Sequence, residues 1–175
     1  MTSPGRPLDP NAFRARARRL ALLVFDVDGV LTDGRLYYGP QGEQLKVFHT
    51  LDGHGIKLLA RAGVVPAVIT GRNSPMVQHR MTELGMEHVI QGREDKREAL
   101  AELASALELQ PERIGYAGDD MPDVAAMEWV SLAFSVPGAH AAARKAAHHV
   151  TRAGGGQGAA REICDLVLDA REPPQ

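Results

Sequence analysis

Short apolar runs recur along the chain, with helical patterns between them. LALLVFD (20–26), VVPAVIT (64–70), EHVIQ (87–91), RIGYAGD (113–119) and SLAFSV (131–136) lack the alternation of a strand with one wet face, and read as buried parallel strands. Between them Ile56, Leu59 and Ala60 fall at helical spacing, as do Ala99, Leu100, Leu103, Ala104 and Leu107. The stretch SPMVQHRMTEL predicts a helix with Ser74 as N-cap, Pro75 in the first turn and Gly85 as the stop. This alternation predicts an α/β protein with a doubly wound, mainly parallel sheet. RLYYG (35–39), PQGE and QLKVFH (44–49) break it, and predict a β-hairpin inserted over residues 35–49. Residues 1–10, MTSPGRPLDP, predict a loose arm, and residues 11–175 a single domain. The domain closes on a glycine-rich tail and last helix over 152–175.

Composition narrows the class. At 175 residues and 44% apolar content the chain can bury one substantial core. A net charge of −2 gives no footprint for nucleic acid. The basic FRARARRL reads as a solvated leading helix. No apolar run approaches a membrane span and no signal-peptide pattern opens the chain, so a cytoplasmic protein is expected. The single cysteine, Cys164, lies among Ile163, Leu166 and Val167 and reads as a core residue. None of the histidines stands at metal-ligand spacing with it.

Candidate chemistry sits where the apolar runs end. In FDVDG, Asp26 and Asp28 point to one side of the chain if the strand continues, and two such anions need a compensating cation or a demanding substrate. A turn is the plain alternative for Asp-Gly. Ligands of open α/β sheets bind beyond the carboxyl ends of the strands. Those ends also deliver Thr70, Gly71 and Arg72 in VITGRN, and Asp119, Asp120 and Asp123 in AGDDMPD, while Lys96 opens the helix after the third strand. Such a set suits phosphoryl transfer. Asp26 can attack phosphorus, and Asp28 can protonate the leaving oxygen and then activate water. Asp26 with Asp119 offers the hard oxygens that Mg²⁺ prefers, while Thr70, the Gly71 amide and Lys96 can hold phosphate oxygens.

DVDGVLTDG, ITGR, Lys96 and GDDMPD resemble the four motifs of the haloacid dehalogenase superfamily. TDG, the hairpin, FHTLDGHGI, the Arg72–Arg80 pair, QGREDK and RAGGGQGAARE narrow the resemblance to its cap-less branch of 3-deoxy-D-manno-octulosonate 8-phosphate phosphatases. The resemblance implies a Rossmann-like core without a cap domain, Mg²⁺ dependence, and a homotetramer with packed hairpins. It implies a sugar-acid phosphate substrate in lipopolysaccharide precursor synthesis, and no nucleic-acid or membrane partner. Asp26 would be nucleophile, Asp28 acid/base, and Thr70 and Lys96 would complete the catalytic set. Asp26, the Asp28 carbonyl and Asp119 would hold the metal, with Asp120 and Asp123 behind them. Gly71, Arg72, Arg80, Thr50 and Arg152 would bind substrate. The glycine-rich 152–162 segment is expected as a mobile lid on a neighbouring subunit. Arg72 matches the octulosonate branch, where a nine-carbon 9-phosphate relative carries Glu. Asn73, where the family often has Lys, and His54 depart from its pattern.

Two other classes compete. A phospho-accepting receiver domain needs an acidic pair after its first strand, whereas the pair here, Asp119–Asp120, follows the fourth. A non-catalytic phospho-ligand scaffold would be expected to have lost Asp26, Asp28 or Lys96.

Overall fold

The computed structural model describes residues 6–172. Its sheet is six-stranded and parallel, in the order β5-β4-β1-β6-β7-β8. The strands are β1 Leu22–Phe25, β4 Val65–Ile69, β5 His88–Ile90, β6 Ile114–Ala117, β7 Leu132–Ser135 and β8 His149–Val150. Alternation divides the core. Leu22 and Val24 join the cluster under helices α4 (Lys96–Ala106), α5 (Met121–Trp129) and α6 (Ala141–Ala146), whereas Leu23 and Phe25 face the other cluster. That second layer contains α1 (Pro10–Arg19), α2 (Thr50–Arg61), α3 (Pro75–Leu84) and α7 (Ala159–Arg171). All five expected strands are present. β8 has only two residues, too few to leave a periodic signal. No helix among the described residues is long and apolar enough to cross a membrane.

Several expectations change. The leading helix is docked: Ala17 is buried, Phe13 meets Phe134 edge-on at 6.2 Å, and Arg16 donates to the Ser131 carbonyl at 2.9 Å. Residues 1–5 of the expected loose arm lie outside the described residues. The following stretch is not loose, because Arg6 donates to the Ala146 carbonyl at 2.9 Å and Leu8 packs on the core. Ser74 precedes α3 as expected, but its hydroxyl makes no capping bond, whereas Gly85 ends the helix at φ +73°. Ala60 is exposed, although Ile56 and Leu59 are buried.

α7 is a core element. Ala160, Ile163, Cys164 and Val167 are fully buried, so a large-to-small change such as Ile163→Ala is expected to cost about 2–5 kcal/mol. Deletion from residue 152 onward would therefore remove part of the core and could not report on a lid. The start of α4 is tied to the end of α5, where the Arg97 guanidinium lies 3.8 Å from the centre of the Trp129 ring.

β2 (Tyr37–Gly39) and β3 (Gly42–Leu45) form an antiparallel pair between β1 and α2. Among the described residues, this hairpin carries most of the large apolar side chains left exposed: Leu36, Tyr37, Tyr38 and Leu45 lie on or beside its strands, and Val47 just after them.

Candidate active site

Register brings the strand ends together. Phe25 pairs with Ala117 on one side and with Val68 on the other, and the Asp26 amide donates to the Ala117 carbonyl at 2.9 Å. Asp26 thus emerges beside Asp119 and near Thr70. The chain then makes a wide turn over Val27–Leu31, with Gly29 at φ +103°. A Cβ on Gly29 would lie 2.0 Å from Asp119 Oδ2, so glycine alone lets that carboxylate sit against the turn.

A pocket of about 320 Å³ takes in Asp26, Asp28, Thr70, Gly71, Arg72, Lys96, Asp119, Asp120 and Asp123, together with Glu94 and Pro122. A larger cavity, about 380 Å³, lies beneath α1 beside Trp129, but chemistry rather than volume marks the site. The buried Lys96 ammonium is 2.8 Å from Asp26 Oδ1 and 2.7 Å from Asp123 Oδ1. Asp123 is fully occupied. Its Oδ1 also accepts from the Tyr116 hydroxyl at 2.8 Å, and its Oδ2 accepts from the Asp119 and Asp120 amides at 3.1 Å each. Asp120 caps α5 through the Met121 amide at 2.8 Å.

One ammonium faces a surplus of carboxylates. Burial, reinforced by Asp123, raises the Asp26 carboxyl well above its ordinary range despite Lys96. Burial and then Asp123 push Asp119 up to about 6. Burial works against the Lys96 ammonium, but Asp26 and Asp123 outweigh it and hold Lys96 charged. Oxygens of Asp26, Asp119 and Asp123 lie within 4.8 Å of one another. Hard oxygen donors short of positive charge, beside a glycine cradle, fit a divalent cation such as Mg²⁺. Asp123 spends its oxygens on Lys96, Tyr116 and two amides, so it is the least available of the three to a cation.

Sequence reasoning missed the surroundings of Asp28. Lys46, from the hairpin's return, forms a short ion pair with Asp28 and a 3.0 Å pair with Glu43, and its side chain is 1% exposed. Arg72 approaches Asp28 Oδ2 and Glu43 Oε2 at 3.8 Å each and donates to the Tyr38 hydroxyl at 3.0 Å. A lysine between Leu45 and Val47 gives no sequence signal of a partner 18 positions away.

Thr50, Arg80 and Arg152 do not border the pocket. Thr50 opens α2 and is exposed, while Arg80 is 3.3 Å from Glu83 and lines a small separate cavity with His49 and Asp52. The Arg152 amide donates to Glu162 at 3.0 Å, and its residue is exposed. His49 and His140 cap helices α2 and α6, and His148 accepts from the Ala133 amide at 2.9 Å. Asn73 packs against Gly92, and His54 is exposed.

Residues 86–163 match the family model of haloacid dehalogenase-like hydrolases. A 3-deoxy-D-manno-octulosonate 8-phosphate phosphatase of Yersinia pestis is 45% identical over 157 residues, which is 90% of this chain and 84% of that protein. The Moraxella catarrhalis enzyme of that name, solved in complex with a magnesium ion, a phosphate ion and a KDO molecule, superposes with a TM-score of 0.90 at 39% identity, covering 93% of both chains. A cobalt-bound Haemophilus influenzae phosphatase of this kind gives 0.87 at 37% identity, covering 89% of this chain and 91% of that one. With the strand-end carboxylates, the buried lysine and likeness over nearly the whole fold, the chain belongs to the 3-deoxy-D-manno-octulosonate 8-phosphate phosphatase family of haloacid dehalogenase-like hydrolases.

Proposed function

We propose that the chain is a Mg²⁺-dependent phosphatase that hydrolyses 3-deoxy-D-manno-octulosonate 8-phosphate to the free sugar acid and phosphate, in the cytoplasm and within lipopolysaccharide precursor synthesis. The observation that carries this reading is the convergence of Asp26, Asp28, Asp119 and Lys96 on one pocket in a chain so similar to those phosphatases. Asp26 attacks phosphorus while Asp28 gives its proton to the departing sugar oxygen, leaving an aspartyl-phosphate on Asp26. Asp28, now ionised, takes a proton from water, whose oxygen attacks the phosphorus and displaces the Asp26 carboxylate, releasing phosphate and restoring Asp26. Thr70, the Gly71 amide and Lys96 receive the phosphate oxygens. Asp26, the Asp28 carbonyl and Asp119 would hold Mg²⁺, with Asp120 and Asp123 behind them. When bound, the metal offsets the repulsion between these carboxylates and the phosphate. Arg72 would contact the sugar acid, whereas Thr50, Arg80 and Arg152, which do not border this pocket, would reach it only across a subunit boundary.

We also propose a homotetramer whose hairpins pack together. The exposed Leu36, Tyr38, Leu45 and Val47 form the kind of apolar surface that a soluble protein covers by association.

Phosphate release from a panel of sugar-acid phosphates, with and without Mg²⁺, tests the reading. The eight-carbon 8-phosphate should give the highest kcat/KM, and chelation should stop turnover. A preference for a nine-carbon 9-phosphate would reassign the substrate. Full activity in chelator would remove the metal.

A further inference from the structure

The glycine run of residues 154–156 is not an open flap. It is packed against the turn that follows the nucleophile. A Cβ built on Gly155 would lie 1.9 Å from the Gly29 carbonyl oxygen and 2.7 Å from that of Thr32. One built on Gly156, at φ +64°, would lie 2.7 Å from the Asp33 amide nitrogen, and the Gly156 amide donates to the Val30 carbonyl at 3.0 Å. All of these obstacles are backbone atoms, which no rotamer change can move aside. Gly29 meets the Asp119 carboxylate on its other flank, so its peptide is held between Asp119 and the glycine run.

Both sides of this clamp are anchored. Within the turn, the Thr32 hydroxyl donates to the Val27 carbonyl at 3.3 Å and accepts from the Gly34 amide at 3.2 Å. The glycine run follows β8, where the Thr151 hydroxyl donates to the Ala153 carbonyl at 2.7 Å. The Glu162 carboxylate accepts from the Arg152 and Ala153 amides at 3.0 and 3.1 Å, which ties the run to the first turn of α7. Asp52 of α2 reinforces that turn by accepting from the Arg161 amide at 2.8 Å.

We propose that Gly155 and Gly156 are positioning residues for the metal site. They back the 27–33 turn so that the Asp28 carbonyl and the Asp119 carboxylate keep the mutual placement that a rigidly octahedral cation demands. This rests on the reading of Asp28 and Asp119 as metal ligands. Movement of the turn by a few tenths of an ångström would therefore appear in metal binding before it appeared in substrate binding.

The test is calorimetric titration of Mg²⁺ into the full-length protein and its Gly155→Ala and Gly154→Ala variants, at a temperature where circular dichroism shows each folded. Gly154 is the control, because a Cβ there meets only the Gln157 side chain, at 3.1 Å. Gly155→Ala should weaken Mg²⁺ binding at least tenfold and lower kcat, while KM at saturating Mg²⁺ changes less than threefold and Gly154→Ala matches the parent. Unchanged Mg²⁺ affinity in folded Gly155→Ala overturns the proposal. If that variant does not fold, amide exchange in the unmodified protein decides. Coupling is reciprocal, so Mg²⁺ should slow exchange at the Gly156 amide severalfold, and equal rates overturn the proposal. A parent protein that binds no Mg²⁺ would remove the metal reading itself, and this inference with it.

Discussion

Two ionic clusters meet at the pocket and are built differently. Around Asp26, the partners Lys96, Asp123 and Tyr116 come from the sheet's own strands and the helices that follow them, and Asp123 has a donor for every bond its oxygens make there. Around Asp28, Arg72 follows β4, but Lys46, Glu43 and Tyr38, which complete the cluster, come from the hairpin, whose apolar side chains face solvent. The first cluster is completed by folding alone. The second depends on whatever holds the hairpin in place. In the proposed mechanism phosphorus is therefore met by preorganised charge, whereas the leaving-group side is conditional on a peripheral element.

The largest expected effect strikes the first cluster. Asp26→Asn should lower kcat by at least about 1,000-fold, because an amide keeps the shape but cannot attack phosphorus. Lys96 retains Asp123 as partner, so circular dichroism should stay native. Phosphate release at the parent rate would falsify the nucleophile assignment.

Lys96→Met should follow, with kcat down roughly 100-fold and a lower melting temperature, since Asp26 and Asp123 then lose their shared cation. Equal melting temperatures for parent and variant would mean that the pairs contribute nothing net to folding.

Acidity provides a third lever. Asp119 has its pKa raised from 3.8 to about 6, so its protonation favours the metal-free fold below about pH 4, and that contribution is lost as pH rises through about 6. Metal needs the ionised form, so Mg²⁺ affinity should fall by up to about tenfold per unit below pH 6. The Mg²⁺-induced rise in melting temperature should accordingly be larger at pH 7.5 than at pH 5. A flat profile would detach Asp119 from the metal.

The smallest effects belong to the hairpin cluster. Lys46→Met should reduce kcat by roughly tenfold and Tyr38→Phe by less than about threefold, because each leaves the Asp26 cluster intact. Steady-state kinetics of the two variants would contradict the division between clusters if either approached the loss seen for Asp26→Asn.

The strands and the carboxylates gathered at their ends were legible for one reason. Fully buried parallel strands leave uninterrupted apolar runs, and the chemistry lies where those runs end. Asp26, Thr70 and Asp119 could be read from that rule together. Lys46 could not, because its partner lies 18 residues away and only the hairpin's return brings the two together. Glycines 154–156 were visible as glycines, but flexibility and close packing call for the same residue, and only the structure shows Gly29 on the other side. The leading helix misled in a similar way. Its arginines suggested a wet surface, yet Phe13 and Ala17 give it an inner face.

Trp129 is the chain's only tryptophan, and Arg97 lies over its indole. Arg97 directly follows Lys96, and Trp129 closes the helix that Asp120 begins. A guanidinium at that distance perturbs the excited state of the ring, so intrinsic fluorescence is a built-in optical gauge of the spacing between these two helices. Phosphate or Mg²⁺ drawing Lys96 and Asp123 to new positions would alter the emission, and stopped-flow traces could time that adjustment on the unlabelled protein.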